Sequence, residues 1–432
     1  MSIIYNIAFI IFAVVYIPIF LLKKRRREGI ALRFGLYSKE LIEKLKSKEN
    51  IWVHAVSVGE VMAAGPLLSR LRQRYPGYRL VITTVTETGN AVAKKIAGDS
   101  DIVLFLPFDI RPAVRRAISY IRPTMLLIAE TEIWPNLITE AARSNVAIFL
   151  VNGRISDGSF GRYKLVKFML KPVLEGIKLF LMQSEIDEER IISLGAEPSR
   201  VSISGNIKFD AATSEDLLRQ DNMSLKSSLG LREDDKLFVA GSTHPGEEEI
   251  IMSAYIELKK EFANLRLLIA PRHIERTTAL ESFVKRYDFT SVRVSQLGKN
   301  KNQELAAKNY ELFLLDTVGQ LKSFYAIADI VFMGGSLVKK GGQNMIEPAC
   351  FAKPILFGPY TFNFRDITDL FLKEEAAIVV KDKTALVKAA SDILKGDDTH
   401  IKNLGQRAKE LVDTNKGAVE KTLEAINEKL SL

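Results

Sequence analysis

Residues 51–74 decide the fold of this chain and read IWVHAVSVGEVMAAGPLLSRLRQR. The stretch opens on three β-formers and, after Glu60, places apolar side chains at helical spacing. Gly59 lets the backbone turn tightly between the two elements. A buried strand that runs directly into a helix predicts an α/β protein, with Glu60 at the N-terminus of the helix. An acid there can act as a catalytic base or only complement the helix dipole, and its position alone leaves both interpretations open.

The same alternation of strand-like and helix-like runs fills the rest of the chain. The strand-like runs are apolar throughout and not at every second residue, which predicts a parallel sheet covered on both faces. The rhythm restarts after the polar stretch 210–235, so we expect two doubly wound domains, 30–209 and 210–432, facing each other across a cleft. The final helices, from Lys383 onward, are expected to pack last. The predicted strands are 51–56, 79–85, 102–106, 124–129, 146–151, 179–182, 236–240, 265–270, 311–315, 329–333, 354–357 and 377–380.

The composition narrows the class of protein. At 432 residues the chain is too long for one ordinary core, and nearly half of its residues are hydrophobic, as in a globular protein. Its single cysteine, Cys350, excludes an intramolecular disulfide and a cysteine cluster for zinc, which fits a reducing compartment. The net charge of +9 is compatible with nucleic acid, a membrane surface or an anionic substrate. The sequence shows no basic patch interleaved with aromatic residues, so we expect no nucleic-acid partner.

Much of the positive charge follows an apolar N-terminal run. Residues 3–22 are long enough to cross a bilayer as a helix, and Lys-Lys-Arg-Arg-Arg occupies 23–27. The charges follow the apolar run instead of preceding it, which is typical of a retained anchor and not of a cleavable signal peptide. The positive-inside rule then places everything after residue 27 in the cytoplasm. A helix lying along the membrane surface is the alternative, but the run has no polar face.

Two polar clusters follow predicted strands of the first domain. ETEIWPN at 130–136 places two carboxylates and an indole at a strand-to-helix junction, and a helix cap accounts for only one of the acids. SGNIK at 204–208 ends in Lys208, which either meets an anionic group in the cleft or is a solvated surface lysine. Ligands of open α/β sheets bind at the carboxyl ends of the strands, so we expect a ligand near these clusters.

The second domain carries four further clusters after its strands. GSTHPGE at 241–247 offers the hydroxyls of Ser242 and Thr243 and backbone amides where a helix begins, which favours phosphate, although an ordinary N-cap explains part of it. The remaining clusters are PRH at 271–273, DTVGQ at 316–320, and GGS at 334–336 with GGQNMIE at 341–347. The last of these is a glycine loop followed by an asparagine and a glutamate, which suits the phosphate and ribose hydroxyls of a nucleotide or is a turn with ordinary capping.

Seven blocks, taken in order, resemble the Kdo transferases, which move 3-deoxy-D-manno-octulosonic acid (Kdo) from CMP-Kdo onto a lipid A precursor. The resemblance covers nearly the whole chain. It implies a GT-B fold, an N-terminal anchor in the inner membrane with both domains on the cytoplasmic face, an acceptor site in the first domain and a CMP-Kdo site in the second. The blocks are HAVSVGE from residue 54, ETEIWPN from 130, NGRIS from 152, SGNIKFD from 204, GSTHPGEE from 241, PRH from 271 and GGSLVKKGGQNMIEP from 334.

The resemblance also implies roles for particular residues. It places the general base of the family on Glu60, its second essential acid on Glu130 and its motif lysine on Lys208. One departure is visible at Gln343, where relatives often have histidine, so we assign that side chain no charge-dependent role. The residues on which the CMP contacts of the family fall are Pro271, Arg272, Val318, Gly319, Gln320, Asn344, Met345, Ile346 and Glu347.

The chemistry of these residues suits glycosyl transfer from a nucleotide sugar. Such a reaction needs a base for the acceptor hydroxyl, and positive charge or dipoles for the departing phosphate. Glu60 is expected to deprotonate the primary hydroxyl of the acceptor glucosamine, which attacks the anomeric carbon opposite CMP, so that the product is inverted. Arg272 and the loop amides are expected to hold the phosphate. Glu130 and Lys208 stabilise charge or position the acceptor, and the sequence does not separate these roles.

The chain contains an Asp-x-Asp motif at 99–101, which many glycosyltransferases use to hold a divalent metal. It precedes a predicted strand and therefore lies at the wrong edge of the sheet for a ligand. We interpret it as a loop and predict a reaction without metal or cofactor. Three rival classes stay open: a UDP-sugar transferase of the same fold, a nucleotide-sugar epimerase and a membrane-tethered scaffold. The predicted anchor disfavours the epimerase, which acts on a soluble substrate.

Overall fold

The computed structural model describes residues 29–211, 222–297, 309–396 and 403–430. The predicted anchor and its basic cluster lie outside these ranges. Within them, no helix combines the length and the apolar character needed to cross a membrane. The chain divides into two compact units, of which the first takes the residues up to Ala211 together with those from Asn415 onward, and the second takes those in between.

The described part of the first unit contains a sheet of seven parallel strands in the order β3-β2-β1-β4-β5-β6-β7. The direction of the strand order reverses at β1, which lies between β2 and β4, so this is a doubly wound sheet with its switch point at the carboxyl ends of β1 and β4. The strands are β1 Asn50–His54, β2 Arg79–Thr84, β3 Ile102–Phe105, β4 Pro123–Ala129, β5 Ala147–Gly153, β6 Leu179–Met182 and β7 Val201–Ile203.

Helices cover both faces of this sheet. Alternate residues of β1 join different core clusters, because Trp52 packs into one and Ile51 and Val53 pack into the other. This two-sided burial is what the unbroken apolar runs predicted. The helices are α1 Ile30–Arg33, α2 Lys39–Lys46, α3 Val58–Arg74, α4 Glu87–Ile96, α5 Arg111–Ile121, α6 Pro135–Arg143, α7 Asp157–Leu165, α8 Lys167–Leu174, α9 Glu185–Leu194 and α10 Lys208–Ala211.

The described part of the second unit contains another sheet of seven parallel strands, in the order β10-β11-β9-β8-β12-β13-β14. Its first strand, β8, lies between β9 and β12, so the switch point again adjoins the first strand of the unit. The strands are β8 Lys236–Thr243, β9 Leu265–Pro271, β10 Ser291–Arg293, β11 Leu312–Leu314, β12 Ile330–Met333, β13 Ile355–Phe357 and β14 Ile378–Val379.

The helices of the second unit complete its layers. The helix that follows β8 buries Ile251, Tyr255 and Leu258 against the sheet. The helices are α11 Asn222–Ser228, α12 Glu247–Glu261, α13 Thr277–Val284, α14 Val294–Leu297, α15 Leu321–Ile327, α16 Ile346–Ala349, α17 Arg365–Lys373, α18 Lys383–Lys395 and α19 Leu404–Thr414.

The predicted α/β class and the two doubly wound parallel sheets are confirmed. Each predicted strand has a counterpart, and β7 and β10 are additional. Each of those two strands has three residues of which one is buried, so neither shows an unbroken apolar run. The predicted cleft between the two domains stays a prediction.

The last helix, α20 at Ala418–Leu430, differs from the predicted domain boundary of 210–432. It belongs to the first unit, where Val419, Leu423 and Ile426 pack into the same core cluster as Val53 of β1. The carboxylate of Asp210 accepts hydrogen bonds from the amides of Gly417 and Val419, at 2.7 Å each. The reason is amphipathicity, since the apolar face of α20 is buried against the first core and its first turn is capped by an acid from that unit.

We predict that Asp210→Ala loosens α20. Loss of a carboxylate that satisfies two amides at a helix start costs about 1–2 kcal/mol. Amide hydrogen exchange across residues 418–430 is therefore expected to accelerate by roughly 5- to 30-fold. Asp288→Ala, at an exposed aspartate of the second unit, is the control and should leave that exchange unchanged. Equal exchange in both variants would show that the cap contributes nothing.

Candidate active site

Glu60 lies in the first turn of α3, at the carboxyl end of β1. Its Oε2 accepts a hydrogen bond of 2.7 Å from the amide of Val56, and its Oε1 accepts one of 2.8 Å from the Ser57 hydroxyl. Ser57 is the N-cap residue and Glu60 is the third helical residue, but the Ser57 side chain caps no amide and Glu60 accepts the amide of Val56, so the two residues do not form a capping box. Glu60 is thus an acid in the first turn of a helix, where it complements the helix dipole. Each carboxylate oxygen still has a second lone pair for another donor.

The surroundings of Glu60 go beyond those of an ordinary cap. Burial raises the pKa of Glu60 above its usual value, and the hydrogen bond from Val56 opposes this rise. The negative charge of Glu130 raises the pKa of Glu60 further, whereas the positive charge of Lys208 lowers it. Charges that shift each other's ionisation lie close together. A carboxylate with a raised pKa is also a stronger base, which a proton acceptor in catalysis requires.

Glu130 and Lys208 form an ion pair, with 3.2 Å between Glu130 Oε1 and Lys208 Nζ. Their side chains are 24% and 22% exposed, so the pair is reachable from solvent but largely enclosed. Glu130 directly follows β4 and has a φ of 58°, in the left-handed region that non-glycine residues rarely adopt. Its amide donates to the carbonyl of Val151 at 2.9 Å. Backbone strain of this kind costs about 1–3 kcal/mol and tends to persist at functional sites.

The structure thus brings the three predicted catalytic residues to one edge of the first sheet. Their catalytic roles stay predictions. His54 is different, although it also ends a strand. It is fully buried, its Nδ1 lies 3.1 Å from the carbonyl and the hydroxyl of Thr83, and burial lowers its pKa to about 4, so it is neutral at neutral pH.

Glu132 is a further acid of this cluster to which sequence reasoning gave no role. Burial raises the pKa of Glu132 to about 7, with smaller contributions from the charges of Glu60 and Glu130 and an opposing one from the indole of Trp134. Three carboxyl groups therefore share the neighbourhood of one lysine, and near neutral pH the third is partly protonated. The signal in the sequence was the second acid of ETEIWPN, which a helix cap did not explain.

A basic and apolar surface adjoins this cluster, and we call it the α7–α8 surface. It comprises helices α7 and α8, in which residues 158–174 contain no acid. Leu165 and Phe168 are 80% and 67% exposed, and no residue of α7 is buried. The hydroxyl of Tyr163 in α7 donates to the carbonyl of Thr131 at 3.4 Å, which ties the surface to the segment between Glu130 and Glu132. The cations of this surface are Arg162, Lys164, Lys167 and Lys171.

The loop that ends β8 in the second unit differs from the prediction in one respect. Thr243 is fully buried and its hydroxyl donates to Glu248 at 3.0 Å, so this hydroxyl supports the fold and is not presented to a ligand. Ser242 has a φ of 55° at an irregularity in the pairing of β8 with β9. A strained residue at a switch point is again what a ligand site would show.

A buried carboxylate organises the glycine loop after β12. Glu247, which opens α12, accepts hydrogen bonds from the amides of His244, Gly335, Ser336 and Leu337 at 2.6–2.9 Å. Burial raises the pKa of Glu247, and these four bonds oppose the rise. These four amides are therefore already bound to a carboxylate and are not presented to a phosphate, while for the other amides of the two loops the prediction stays a prediction. Side chains at this edge can also supply positive charge.

Those side chains lie beside the end of β8. The amide of Arg272 donates to the carbonyl of Thr243 at 3.0 Å, and the rings of His244 and His273 are 6.0 Å apart. Burial lowers the pKa of His244, and the charges of His273, Lys340, Arg272 and Arg276 lower it further. Several positive charges that lower the pKa of one histidine indicate a region of positive potential, which favours an anionic ligand.

Glu347 also lies within reach of Arg272. Burial raises the pKa of Glu347, and the positive charges of Lys322 and Arg272 oppose this; Lys322 Nζ lies 3.5 Å from its Oε1. Asn344 accepts a hydrogen bond of 3.2 Å from the amide of Ile346. The side chains of Met345 and Ile346 are in the core, so only their backbone can contact a ligand.

The remaining predicted donor residues form a turn after β11. Val318 is 86% exposed, Gly319 has a φ of 88°, and the hydroxyl of Thr317 donates to Gln320. Pro271 ends β9 and is partly exposed next to Arg272. The structure thus brings Pro271, Arg272 and the 344–347 segment towards the switch point.

The Asp-x-Asp motif is a loop before β3, as predicted. Asp101 is bound to Arg72, with 2.8 Å between Asp101 Oδ2 and Arg72 Nε, and it accepts a second bond from the amide of Gly98. Among the residues that the structure describes, no group of three or more His, Cys, Asp or Glu side chains is arranged to hold a metal ion.

Comparison with known proteins assigns the chain. A family model described as 3-deoxy-D-manno-octulosonic-acid transferase matches residues 28–211. A curated 3-deoxy-D-manno-octulosonic acid transferase from Haemophilus influenzae is 34% identical over 402 residues, covering 93% of this chain and 91% of the relative. The chain belongs to the Kdo transferase family. It is therefore a glycosyltransferase that transfers Kdo in lipopolysaccharide biosynthesis, as the seven sequence blocks predicted.

Solved structures support the fold of this Kdo transferase. A putative UDP-N-acetylglucosamine 2-epimerase from Listeria monocytogenes is 14% identical, with a TM-score of 0.58, and the match covers 89% of this chain and 97% of the other. A glycosyltransferase from Rickettsia africae is 12% identical, with a TM-score of 0.55 and coverage of 89% and 99%. At these identities the likeness shows the fold alone, which is the GT-B-like pair of doubly wound domains.

We predict that Glu132→Gln stabilises the Kdo transferase at alkaline pH. A carboxyl whose folded-state pKa is about 7, against 4.5 for the free group, contributes stability that is complete below pH 4.5 and is lost as the pH rises through 7. Glutamine stays neutral, so the variant should gain about 1–2 kcal/mol at pH 8.5 and nothing at pH 4.5. Urea denaturation at several pH values measures this. Glu189→Gln, at an exposed acid of α9, is the control; a parallel pH profile for both variants would contradict the assignment.

Proposed function

We propose that this Kdo transferase moves Kdo from CMP-Kdo to the lipid A precursor, the tetraacyldisaccharide 1,4′-bisphosphate, with inversion at the anomeric carbon and release of CMP. The observation that carries the proposal is the cluster at the ends of β1 and β4: Glu60 with its raised pKa beside the Glu130–Lys208 ion pair. The family membership supplies the transferred sugar, and the geometry supports the rest as follows.

Glu60 acts as the base. A hydroxyl of the acceptor donates to the free lone pair of a Glu60 carboxylate oxygen, while the bonds from Val56 and Ser57 hold the carboxylate in place. As the oxygen attacks the anomeric carbon, its proton passes to Glu60, and the bond from that carbon to the CMP phosphate breaks. Burial makes the carboxylate more basic and Lys208 keeps a larger fraction of it ionised, so both forms of the catalytic group are accessible.

The Glu130–Lys208 pair places one negative and one positive charge beside the base. A carboxylate there stabilises positive charge on an oxocarbenium-like centre or orients the acceptor, and an ammonium offsets negative charge that develops in the transition state. The strained backbone of Glu130 supports a functional role, since the strain is retained although glycine would relieve it.

The donor binds to the second unit, in this proposal, at the switch point beside β8. The cationic side chain of Arg272 meets the phosphate, and Lys340 and Arg276, whose charges with that of Arg272 lower the pKa of His244, add positive potential. Asn344 and Glu347 are the groups for hydroxyls of the ribose or of Kdo. Because Glu247 already binds four amides at this edge, the phosphate relies in this proposal on side-chain charge, and CMP binding is expected to weaken at high salt. No metal is assigned to this step.

The α7–α8 surface supports a lipid acceptor and association with the inner membrane. Exposed apolar side chains among lysines and arginines, without intervening acids, are suited to the boundary of an anionic membrane. The bond from Tyr163 to Thr131 connects this surface with the catalytic cluster, so a lipid held there would have its head group near Glu60. We propose that residues 3–22 anchor the chain, with the two units on the cytoplasmic face.

We predict that Glu60→Gln abolishes transfer. Loss of a general base lowers kcat about 10²- to 10⁴-fold. The assay incubates the detergent-solubilised full chain with CMP-Kdo, generated in place, and a tetraacylated lipid A precursor, and mass spectrometry of the product also counts the Kdo residues added. Glu189→Gln is the control and should keep the parent rate.

Two outcomes of this assay would sink the proposed function. Full transfer by Glu60→Gln would show that Glu60 is not the base. No transfer by the parent chain would show that the proposed donor or acceptor is wrong. A thermal melt separates the nearest rival: CMP should raise the melting temperature, whereas a rise with UDP alone would favour a UDP-sugar transferase.

We predict that the double substitution Leu165→Ser and Phe168→Ser raises KM for the acceptor in mixed micelles about 10-fold and leaves the KM for CMP-Kdo unchanged. Removing two exposed apolar side chains takes away the area that would be buried in the lipid phase, at about 25 cal/mol per Å². Leu36→Ser, at an exposed leucine of the same unit, is the control. An equal effect of both variants, or a change in the donor KM, would show that the α7–α8 surface does not engage the acceptor.

A further inference from the structure

Asn152, the sixth residue of β5, is held in an unusual conformation. It is 1% exposed and has a φ of 54°, in the left-handed region. Asparagine tolerates this region better than most residues, but residues in a β-strand normally have a negative φ. A buried polar residue with a strained backbone needs a reason.

Its hydrogen bonds supply one. The side-chain oxygen of Asn152 accepts a bond of 3.1 Å from the amide of Ile207, and its carbonyl accepts one of 3.0 Å from the side chain of Gln183. The side-chain nitrogen of Asn152 is buried and has no hydrogen-bond partner in the described part of the chain. The side chain of Asn152 therefore binds the amide of Ile207 while its own nitrogen stays without a partner. A buried donor without a partner costs free energy, so the position of the Ile207 amide is the feature to explain.

The amide it holds belongs to the residue before Lys208. Ile207 is buried in the same core cluster as Val151, and the side chain of Asn206 accepts a bond of 3.0 Å from the amide of Lys208. The segment 206–208 is thus fixed by two asparagines, of which only Asn152 comes from another strand.

The neighbour of Asn152 holds the other half of the ion pair. The carbonyl of Val151 accepts the amide of Glu130 at 2.9 Å. Two consecutive residues of β5 therefore set the positions of the segments that carry Glu130 and Lys208, whose charged atoms are 3.2 Å apart.

We infer that Asn152 is a positioning residue, which holds Lys208 against Glu130 through the amide of Ile207. The inference rests on the proposed role of Glu60 as base, because the placement of Lys208 acts on that base. The positive charge of Lys208 lowers the pKa of Glu60, while Glu130 raises it. If Lys208 moves away, the pKa of Glu60 rises.

The other titratable groups of the cluster do not replace Lys208. Glu132 lies on the same junction as Glu130, and Tyr163 of α7 interacts with Glu132. Asp210, two residues beyond Lys208, is bound to the amides of Gly417 and Val419. Two cations also lie near the cluster: Arg154, whose amide donates to the hydroxyl of Thr131, and Arg162, which acts on Tyr163. The charges that act on the pKa of Glu60 are those of Lys208, which lowers it, and Glu130, which raises it, so a displaced Lys208 has a visible effect on ionisation.

The test is the pH dependence of kcat/KM for Asn152→Ala and Asn152→Gly in the full chain. The acid limb of this profile reports the free base, and it should move to higher pH in both variants, in the same direction as in Lys208→Ala. The activity near neutral pH should fall about 3- to 10-fold, as expected for the loss of one hydrogen bond. The variants Asn152→Ala and Asn152→Gly combined with Lys208→Ala should show no further shift of the limb.

The two Asn152 variants separate positioning from backbone strain. Glycine relieves a positive φ and removes the acceptor, so a parent-like profile in Asn152→Gly would show that only the backbone conformation matters, and would overturn the inference. Asn145→Ala is the matched control, because Asn145 also has a positive φ, of 56°, in the same unit but is exposed. It should leave the limb in place.

Failure of the inference and failure of the proposed function are distinguishable. If Glu60→Gln is inactive and the acid limb does not move in either Asn152 variant, only the positioning role is lost. If Glu60→Gln remains active, the base assignment itself is wrong, whatever the Asn152 variants do. A shift in Asn152→Ala that adds to that of Lys208→Ala would also reject the inference, since positioning acts through Lys208 alone.

Discussion

The ion pair between Lys208 and Glu130 is the interaction on which the rest of the site depends. It joins the segment after β7 to the segment after β4, and these strands are separated in the sheet by β5 and β6. Only a parallel arrangement brings their carboxyl ends to the same edge. A pair that is about a quarter exposed adds little to stability. Its importance is local, because it places two opposite charges beside the carboxylate of Glu60, and the protonation of Glu60 responds to both.

The two units use carboxylates in different ways at equivalent places. In the first unit, Glu60 accepts two hydrogen bonds from the residues that the structure describes and keeps lone pairs for a further donor. In the second unit, Glu247 accepts four backbone amides, is fully buried and serves to shape a loop. Both acids begin helices after the first strand of a doubly wound sheet. The number of bonds already made, and not the position in the fold, separates a carboxylate that can accept a further hydrogen bond from one that supports a loop.

Much of the fold was predictable because its signals are local. Apolar runs of four to seven residues identify the strands of a covered parallel sheet, and β7 and β10 were missed because each buries one of its three residues and shows no such run. The site was predictable in part for the same reason, since Glu60, Glu130 and Arg272 each follow a strand. The roles of Glu132, Glu247 and the Thr243 hydroxyl were not, because each depends on partners distant in the sequence or on burial. The placement of α20 likewise depends on which core has room for its apolar face.

The sequence by itself determined the α/β class, the two doubly wound sheets, the family and the strand-end residues, because periodicity and ordered motifs are properties of contiguous stretches. Only the tertiary structure decided that Lys208 meets Glu130, that Asn152 holds the segment beside them, and that the last helix returns to the first unit. These are contacts between residues from 55 to more than 200 positions apart in the chain. They exist because buried strands align side by side and exclude water, and no local pattern encodes that alignment.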